Sequence, residues 1–159
     1  MATSKDHKPR IVALGGSFEH PHKGHRRLIS KALQVGDKVV IGLTSDRFVK
    51  TVRKHHSVSG YQQRLSNLKS YLSRIGALKK TEIISLDDQH GPATSNGSIT
   101  AIVVSPETLS TALEINQIRI KKKMNPLQIY VVDYVLAQNG KPISTSRISQ
   151  GLIDEEGRL

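Results

Sequence analysis

The sequence predicts an α/β fold, a three-layer α/β/α sandwich built on a five-stranded parallel sheet. Short apolar runs, which are typical of buried strands, alternate along the chain with amphipathic stretches of helical period. Such alternation is the pattern of parallel strands joined by helices. The chain has 159 residues, enough for one core but not for two. We therefore expect a single domain over residues 10–159, preceded by a flexible basic lead over residues 1–9.

The first half of the chain supplies two strands and two helices. Apolar residues 11–14, closed by two glycines, and residues 39–43 predict buried strands. Between them a helix starts at residue 24, with its apolar face on one side and Gly36 as its end. Residues 50–57 are basic and irregular and predict a mobile loop. Apolar residues spaced 4, 3, 4, 3 from Tyr61 to Ile75 then predict a helix, with Ser59 and Gln62 as its capping box.

The second half supplies three more strands, over residues 81–86, 99–104 and 127–132. Ser105 is followed by a proline and an acid, so it predicts the cap of a helix that runs to about Ile120. Ser144 predicts the cap of a last short helix. The whole arrangement is Rossmann-like, and in such sheets ligands bind beyond the carboxyl ends of the strands.

Composition narrows the function classes. Lys and Arg number 24 against 13 Asp and Glu, a net charge of +11, so we expect an anionic partner: nucleic acid, a membrane surface or a phosphorylated small molecule. Aromatic residues make up 4% of the chain, which argues against a binder that stacks single-stranded bases. Cysteine is absent, which excludes disulfides and thiolate chemistry. Without a long apolar segment or an apolar leader, we expect a cytoplasmic protein with no membrane partner.

The loop after the first predicted strand carries the strongest chemical signal. Glycines after a strand let the backbone approach a phosphate, and the next helix offers free N–H groups. His22 and His25 lie three residues apart at that helix start, so both imidazoles can face one anion. Gly24 between them has no side chain to block the phosphate. The alternative is two surface histidines at a helix start, with a metal ion as their one conceivable ligand.

A second segment, residues 143–148, reads Ile-Ser-Thr-Ser-Arg-Ile. Hydroxyl groups and backbone N–H groups at a helix start can bind phosphates. Ser144, Thr145 and Ser146 supply the hydroxyl groups, and Arg147 adds a fixed planar charge. Taken alone, the segment is also compatible with an ordinary helix cap followed by an exposed arginine.

Together these segments resemble the two signatures of the nucleotidylyltransferase superfamily. Further matches extend the resemblance to the archaeal and eukaryotic phosphopantetheine adenylyltransferase family over roughly residues 10–157, among them Tyr61-x-x-Arg64, Gly91-Pro92-Ala93 and Asn116-x-x-Arg119. The resemblance implies adenylyl transfer from ATP to 4′-phosphopantetheine, which gives dephospho-coenzyme A and pyrophosphate in coenzyme A synthesis. The attacking phosphate oxygen is already ionised near neutral pH, so no catalytic base is expected.

The resemblance also implies roles for individual residues. His22, His25 and Lys50 are the implied catalytic residues, with Lys50 on the mobile loop. The implied ATP site comprises Gly16, Ser17, Phe18, His22, Gly24, His25, Ser144, Thr145, Ser146 and Arg147. The implied site for the acceptor, 4′-phosphopantetheine, comprises Ser17, Lys50, Asp88, Ser105, Glu107 and Thr108. Mg²⁺ is expected on the ATP phosphates rather than on a metal site of the protein.

The chain departs from the family pattern at two places, one in each of the first two loops after predicted strands. Glu19 stands where the family has an aspartate, and the second lysine of the family's Lys-x-Lys is replaced by Val52. Arg53 or Lys54 is therefore an alternative to Lys50 as the loop cation.

Two competing functions stay open. One is another nucleotidylyltransferase, acting on nicotinamide mononucleotide or forming a cytidylyl product from an alcohol phosphate. The other is a nucleic-acid-binding module driven by the net charge, which we rank lower because a cleft for two phosphorylated ligands accounts for part of that charge. We expect ATP, 4′-phosphopantetheine, dephospho-coenzyme A and coenzyme A as small-molecule partners. A monomer is favoured over an oligomer.

Overall fold

A computed structural model describes residues 10–18, 23–52 and 59–133. The five strands are β1 (Ile11–Gly16), β2 (Lys38–Thr44), β3 (Thr81–Leu86), β4 (Ile99–Val104) and β5 (Gln128–Val131). The four helices of this part of the chain are α1 (Lys23–Val35), α2 (Asp46–Val52), α3 (Tyr61–Arg74) and α4 (Leu109–Lys121). Short 3₁₀ turns lie at Leu78–Lys80 and Gly91–Thr94.

The strands form one parallel sheet in the order β3-β2-β1-β4-β5. The chain runs outward from β1 to β3 and then returns to place β4 on the other side of β1. The connections therefore diverge above β1 and β4 and leave a crevice at their carboxyl ends, the usual ligand position in such sheets. The predicted five-stranded parallel sheet is confirmed.

Helices cover both faces of the sheet. On one face α1 and α3 pack onto β1, β2 and β4 through a buried apolar cluster that includes Ile29, Leu68 and Leu72. On the opposite face α4 packs onto β4 through Ala112 and Ile115. The prediction of three layers is confirmed, and α1, α2 and α4 each follow a strand, so their N-termini lie toward the carboxyl edge of the sheet.

The prediction of a loop over residues 50–57 is wrong for its first three residues, 50–52. They form the end of α2 (Asp46–Val52). The helix starts there because the Ser45 hydroxyl accepts a hydrogen bond from the Phe48 N–H at 3.1 Å, an N-cap placed directly after β2. Residues 53–58 of the predicted loop lie outside the described residues.

Two predicted helix starts also differ from the structure. Helix α4 begins at Leu109 rather than near Ser105, because residues 105–108 form a separate turn in which the Thr108 N–H donates to the Ser105 carbonyl at 3.1 Å. Helix α3 has no capping box: Gly60 is its N-cap, without a side-chain cap. Its first N–H, that of Tyr61, donates instead to the Asp46 carboxylate at 2.8 Å. The far end is as predicted, with Gly76 in the left-handed region at φ 73°.

Two further predictions fall outside the described residues: the basic lead over residues 1–9 and the C-terminal helix capped by Ser144. None of the helices within the described ranges has the length and apolar character that crossing a membrane requires.

Candidate active site

The segment after β1 turns sharply into the core. Phe18 is fully buried and adopts φ 50°, a left-handed conformation that bulky residues rarely adopt. Its ring packs against the imidazole of His25 in the first turn of α1, with 4.9 Å between the ring centroids. A Cβ atom at Gly16 would lie 3.3 Å from the same ring. Gly16 therefore makes room for the Phe18 ring, which lies in the core.

A buried arginine ties this segment to its neighbours. Arg64, on the inner face of α3, is 0% exposed. Its Nη1 donates to the Ser17 carbonyl at 3.1 Å and to the Thr44 carbonyl at 2.8 Å. Its Nε donates to the Ser59 carbonyl at 2.8 Å. One guanidinium therefore joins the segment that follows β1 and the last residue of β2 to the segment that precedes α3.

The same guanidinium reaches the helix after β2. Arg64 Nη2 donates to Asp46 Oδ1 at 3.1 Å, and the Asp46 side chain is 59% exposed. Lys50 lies one helical turn further along α2 and is exposed to solvent. The structure thus places Lys50 on a helix anchored to the Arg64 network.

The turn after β3 uses the carboxylate of Asp88. Its Oδ1 accepts the Gly91 N–H at 2.7 Å and the His90 N–H at 2.9 Å. The hydrogen bond from Gly91 is the main reason that the pKa of Asp88 is lowered from its ordinary value, and the nearby His90 adds to the effect. Asp88 is exposed at this edge of the sheet, and its carboxylate also organises the Gly91–Thr94 turn.

The turn after β4 brings two predicted acceptor residues together. Ser105 N–H donates to Thr108 Oγ1 at 3.1 Å, and the two hydroxyl oxygens are 3.3 Å apart. Glu107 lies between them on the exposed side of the turn. Three of the predicted acceptor residues therefore share one turn at the carboxyl edge of the sheet.

The electrostatics of this edge suit an anion. The N-termini of α1, α2 and α4 lie at this edge because each of these helices follows a strand, and the positive ends of the α1 and α4 dipoles are therefore directed toward it. His25 stands in the first turn of α1, and Lys50 on α2. The edge can therefore hold phosphate groups by hydrogen bonds and positive charge.

Part of the predicted site lies outside the described residues: His22 and the whole of residues 144–147. Gly24 lies within α1, in its first turn. Convergence of the two histidines with the distant hydroxyl-rich segment therefore stays a prediction. The described members, residues 16–18, His25, Lys50, Asp88 and the 105–108 turn, all lie at one edge of the sheet, after β1, β2, β3 and β4.

The sequence did not assign a role to Arg64, although it singled out the Tyr61-x-x-Arg64 pattern. A signal was available, because Arg64 precedes Leu68 by four residues and Leu72 by eight, and so lies on the buried face of α3. Arg119 shows the same signal four residues after the buried Ile115 on α4. An arginine on an apolar stripe indicates a buried guanidinium that binds backbone carbonyls.

The described residues hold no group of three His, Asp or Glu side chains arranged to bind a metal ion. Two carboxylates at this edge, those of Asp46 and Asp88, already accept hydrogen bonds from Arg64 and from backbone N–H groups. Such a donor set fits a Mg²⁺ ion that is held by nucleotide phosphates and water, as Mg²⁺ commonly is.

Comparison with known proteins places these features in a family. The cytidylyltransferase-like family model matches residues 13–151. A phosphopantetheine adenylyltransferase of Methanosarcina mazei is 48% identical over 151 residues, which cover 93% of this chain and 96% of that protein. A protein of unknown function from Archaeoglobus fulgidus has a structure that matches with a TM-score of 0.70 at 36% identity, covering 77% of this chain and 88% of that one.

A more distant structure shows the fold alone. A bifunctional NMN adenylyltransferase/ADP ribose pyrophosphatase from Francisella tularensis matches with a TM-score of 0.60 at 19% identity. The match covers 91% of this chain and 42% of that one.

Proposed function

Because the chain belongs to the cytidylyltransferase-like family, and within it to the phosphopantetheine adenylyltransferases, we propose that it transfers an adenylyl group from ATP to 4′-phosphopantetheine. A phosphate oxygen of 4′-phosphopantetheine forms a bond to the α-phosphorus of ATP as the bond from that phosphorus to the bridging β-phosphate oxygen breaks. The products are dephospho-coenzyme A and pyrophosphate. Near neutral pH the attacking oxygen is already ionised, so the step needs no general base.

The main demand on the protein is to hold two polyanions in line. Their mutual repulsion opposes the reaction, and positive groups at fixed positions reduce it. The observation that supports this role most directly is the packing of His25 against the buried Phe18 ring, 4.9 Å between centroids, at the crevice of the sheet. An imidazole fixed in this way needs little reorganisation as charge develops.

The remaining roles belong to the same proposal. Ser17 holds the attacking phosphate, and His22 acts with His25 on the ATP phosphates. Lys50 approaches both substrates from helix α2 rather than from a loop. Residues 144–147 bind the β- and γ-phosphates, while Asp88 and the 105–108 turn contact the acceptor.

Mg²⁺ enters this proposal with ATP. When bound, it supplies positive charge to the triphosphate, held by phosphate oxygens and water. Cytoplasmic location is also part of the proposal, since ATP and the coenzyme A precursors are cytoplasmic metabolites.

An acceptor screen tests the function. The protein is supplied with Mg²⁺ and either ATP or CTP, and pyrophosphate release is measured with 4′-phosphopantetheine, nicotinamide mononucleotide or an alcohol phosphate. We expect release with ATP and 4′-phosphopantetheine only. Release with nicotinamide mononucleotide, or with CTP and an alcohol phosphate, would identify a different transferase of the same fold. Salt-dependent binding of RNA or DNA without release would favour the nucleic-acid module.

Substitution of His25 tests the catalytic assignment. Removing one well-placed donor from a developing negative charge typically lowers turnover by roughly 10²–10³-fold. We therefore expect His25→Ala to reduce kcat by that factor, with a smaller change in the KM for ATP. Arg27→Ala is the matched control, because Arg27 is exposed on the same helix. Near-normal turnover in His25→Ala would refute the assignment.

A further inference from the structure

We propose that Arg64 is a positioning residue for adenylyl transfer: its buried guanidinium fixes the Ser17–Phe18 peptide and helix α2 relative to each other. The proposal rests on the proposed function, and no role for Arg64 follows from that function alone. Arg64 reaches no reacting atom directly; it acts through the groups that it holds.

The first group is the peptide after Ser17. Arg64 Nη1 donates to the Ser17 carbonyl at 3.1 Å. Because a trans peptide is planar, fixing the direction of this C=O also fixes the opposite direction of the Phe18 N–H. Phe18 adopts φ 50°, a strained conformation that persists only where the surroundings hold it. The surroundings here are its own buried ring and the hydrogen bond from Arg64.

This anchor extends to the proposed catalytic imidazole. The Phe18 ring packs against the His25 ring at 4.9 Å between centroids. If the Ser17–Phe18 peptide relaxed, the Phe18 ring would move and the His25 ring would lose its fixed neighbour. Misplacement of a catalytic group by about 1 Å lowers rates by roughly 10²-fold.

The second group is helix α2. Arg64 Nη2 donates to Asp46 Oδ1 at 3.1 Å, and the same oxygen accepts the Tyr61 N–H at 2.8 Å. Lys50 lies one turn along this helix. Arg64 Nη1 also donates to the Thr44 carbonyl at 2.8 Å, at the point where β2 ends. The position of the proposed cation Lys50 is thus tied to the same guanidinium as Ser17.

Arginine suits this role and lysine does not. The planar guanidinium presents donors in a fixed fork and stays charged when buried. Arg64 uses that fork in three directions, toward Ser59, Ser17 and Asp46. A lysine ammonium keeps the charge but cannot reach acceptors that lie so far apart.

Arg64→Lys and Arg119→Lys form a matched pair of variants. Arg119 is also buried, at 2% exposure. Its acceptors include the carbonyl of Ile99, the first residue of β4, and that of Asn125, which precedes β5. For each variant kcat and both KM values are measured at a temperature where urea unfolding shows it fully folded. We expect Arg64→Lys to lower kcat by roughly 10–100-fold with KM changed less than about threefold, and Arg119→Lys to keep kcat within about twofold.

Side-chain NMR of the histidines supplies a readout that is independent of activity. The Phe18 ring lies close enough to His25 for its ring current to influence the imidazole signals, which a His25→Gln variant assigns. We expect Arg64→Lys to shift the His25 signals and Arg119→Lys to leave them unchanged. If Arg64→Lys fails to fold, Asp46→Asn replaces it, because the Asp46 side chain is largely exposed and the substitution removes only the charge of the partner. We expect Asp46→Asn to lower kcat about two- to tenfold and to shift the same His25 signals.

The outcomes separate the two proposals. If wild type releases no pyrophosphate from ATP and 4′-phosphopantetheine, the proposed function fails, and the NMR shift alone decides whether Arg64 positions His25. If the His25 signals in the folded variant match those of wild type, the positioning role is refuted. An equal loss of kcat in Arg119→Lys would also refute it, because general destabilisation would then explain both.

Discussion

Two buried arginines, Arg64 and Arg119, lie toward opposite edges of the sheet. Both guanidinium groups bind backbone carbonyls, but the segments that they connect differ. Arg64 binds the segment that follows β1 and the carboxyl end of β2, together with the exposed carboxylate of Asp46. Arg119 lies toward the start of β4 and β5, and its acceptors in the described part of the chain are all backbone carbonyls. The Arg64 network includes Ser17 and the helix that carries Lys50, both in the predicted site. The Arg119 network instead joins the start of β4 and the turns before β4 and β5.

The Arg119 network joins the turns around β4 and β5. Its guanidinium donates to the carbonyls of Ala93 at 2.7 Å, Ile99 at 3.2 Å and Asn125 at 2.7 Å. Burial lowers the pKa of Arg119 from its ordinary value, but an arginine so far above neutrality stays charged. Burial of a charge therefore does not by itself indicate function; the segments that the buried group connects do.

The largest loss of stability is expected for Arg119→Met. This change leaves several buried carbonyls without their donor, and removal of a buried charged partner typically costs about 3–5 kcal/mol. Urea unfolding measures the loss, and pyrophosphate release by the folded fraction should match wild type. A large loss of turnover in folded Arg119→Met would refute the claim that Arg119 contributes to stability alone.

A smaller loss is expected for Asn116→Leu on the same helix. Asn116 donates to the Leu127 carbonyl at 3.0 Å and accepts the Leu127 N–H at 2.6 Å. The variant leaves two backbone groups unpaired, at about 1–3 kcal/mol, again with turnover unchanged. Gln117→Leu is the control, because Gln117 is exposed on the next position of α4. Equal unfolding free energies for the two variants would show that the Asn116 pair contributes nothing.

The smallest effect is expected for Asp88→Asn, and it depends on pH. The folded-state pKa of Asp88 is lowered, chiefly by the Gly91 N–H, so its ionised form stabilises the fold. That contribution is fully present above about pH 4, the pKa of an aspartate in an unfolded chain, and is lost as pH falls through the lower folded-state value. The difference in unfolding free energy between wild type and variant should therefore vanish in acid. A difference that stays constant from neutral pH to pH 2 would contradict this origin.

The periodicity of apolar residues was sufficient to predict the five-stranded sheet and its three-layer arrangement. Apolar runs mark all five strands, since both faces of a parallel sheet are covered. The starts of α2 and α4 were not predictable in the same way. The cap of α2 is formed by Ser45 directly after a strand, where hydroxyl residues also suit a loop, and the Ser105–Thr108 turn diverts the chain before α4 begins. In both cases local hydrogen bonds decide between two structures that the same residue types favour.

The candidate site was predictable only in part. Glycines and histidines after β1 have a recognisable pattern because their chemistry is local to one loop. The contribution of Arg64 was missed because its acceptors are carbonyls from segments up to 47 residues away, and a carbonyl leaves no signature in the sequence. Phe18 was predicted to belong to the ATP site, whereas its ring lies in the core.

The most direct test of adenylyl transfer is identification of both products by mass spectrometry after incubation of the wild-type protein with Mg²⁺, ATP and 4′-phosphopantetheine. We expect dephospho-coenzyme A and pyrophosphate in equal amounts. Consumption of ATP to ADP and phosphate, or no adenylylated product at all, would contradict the account.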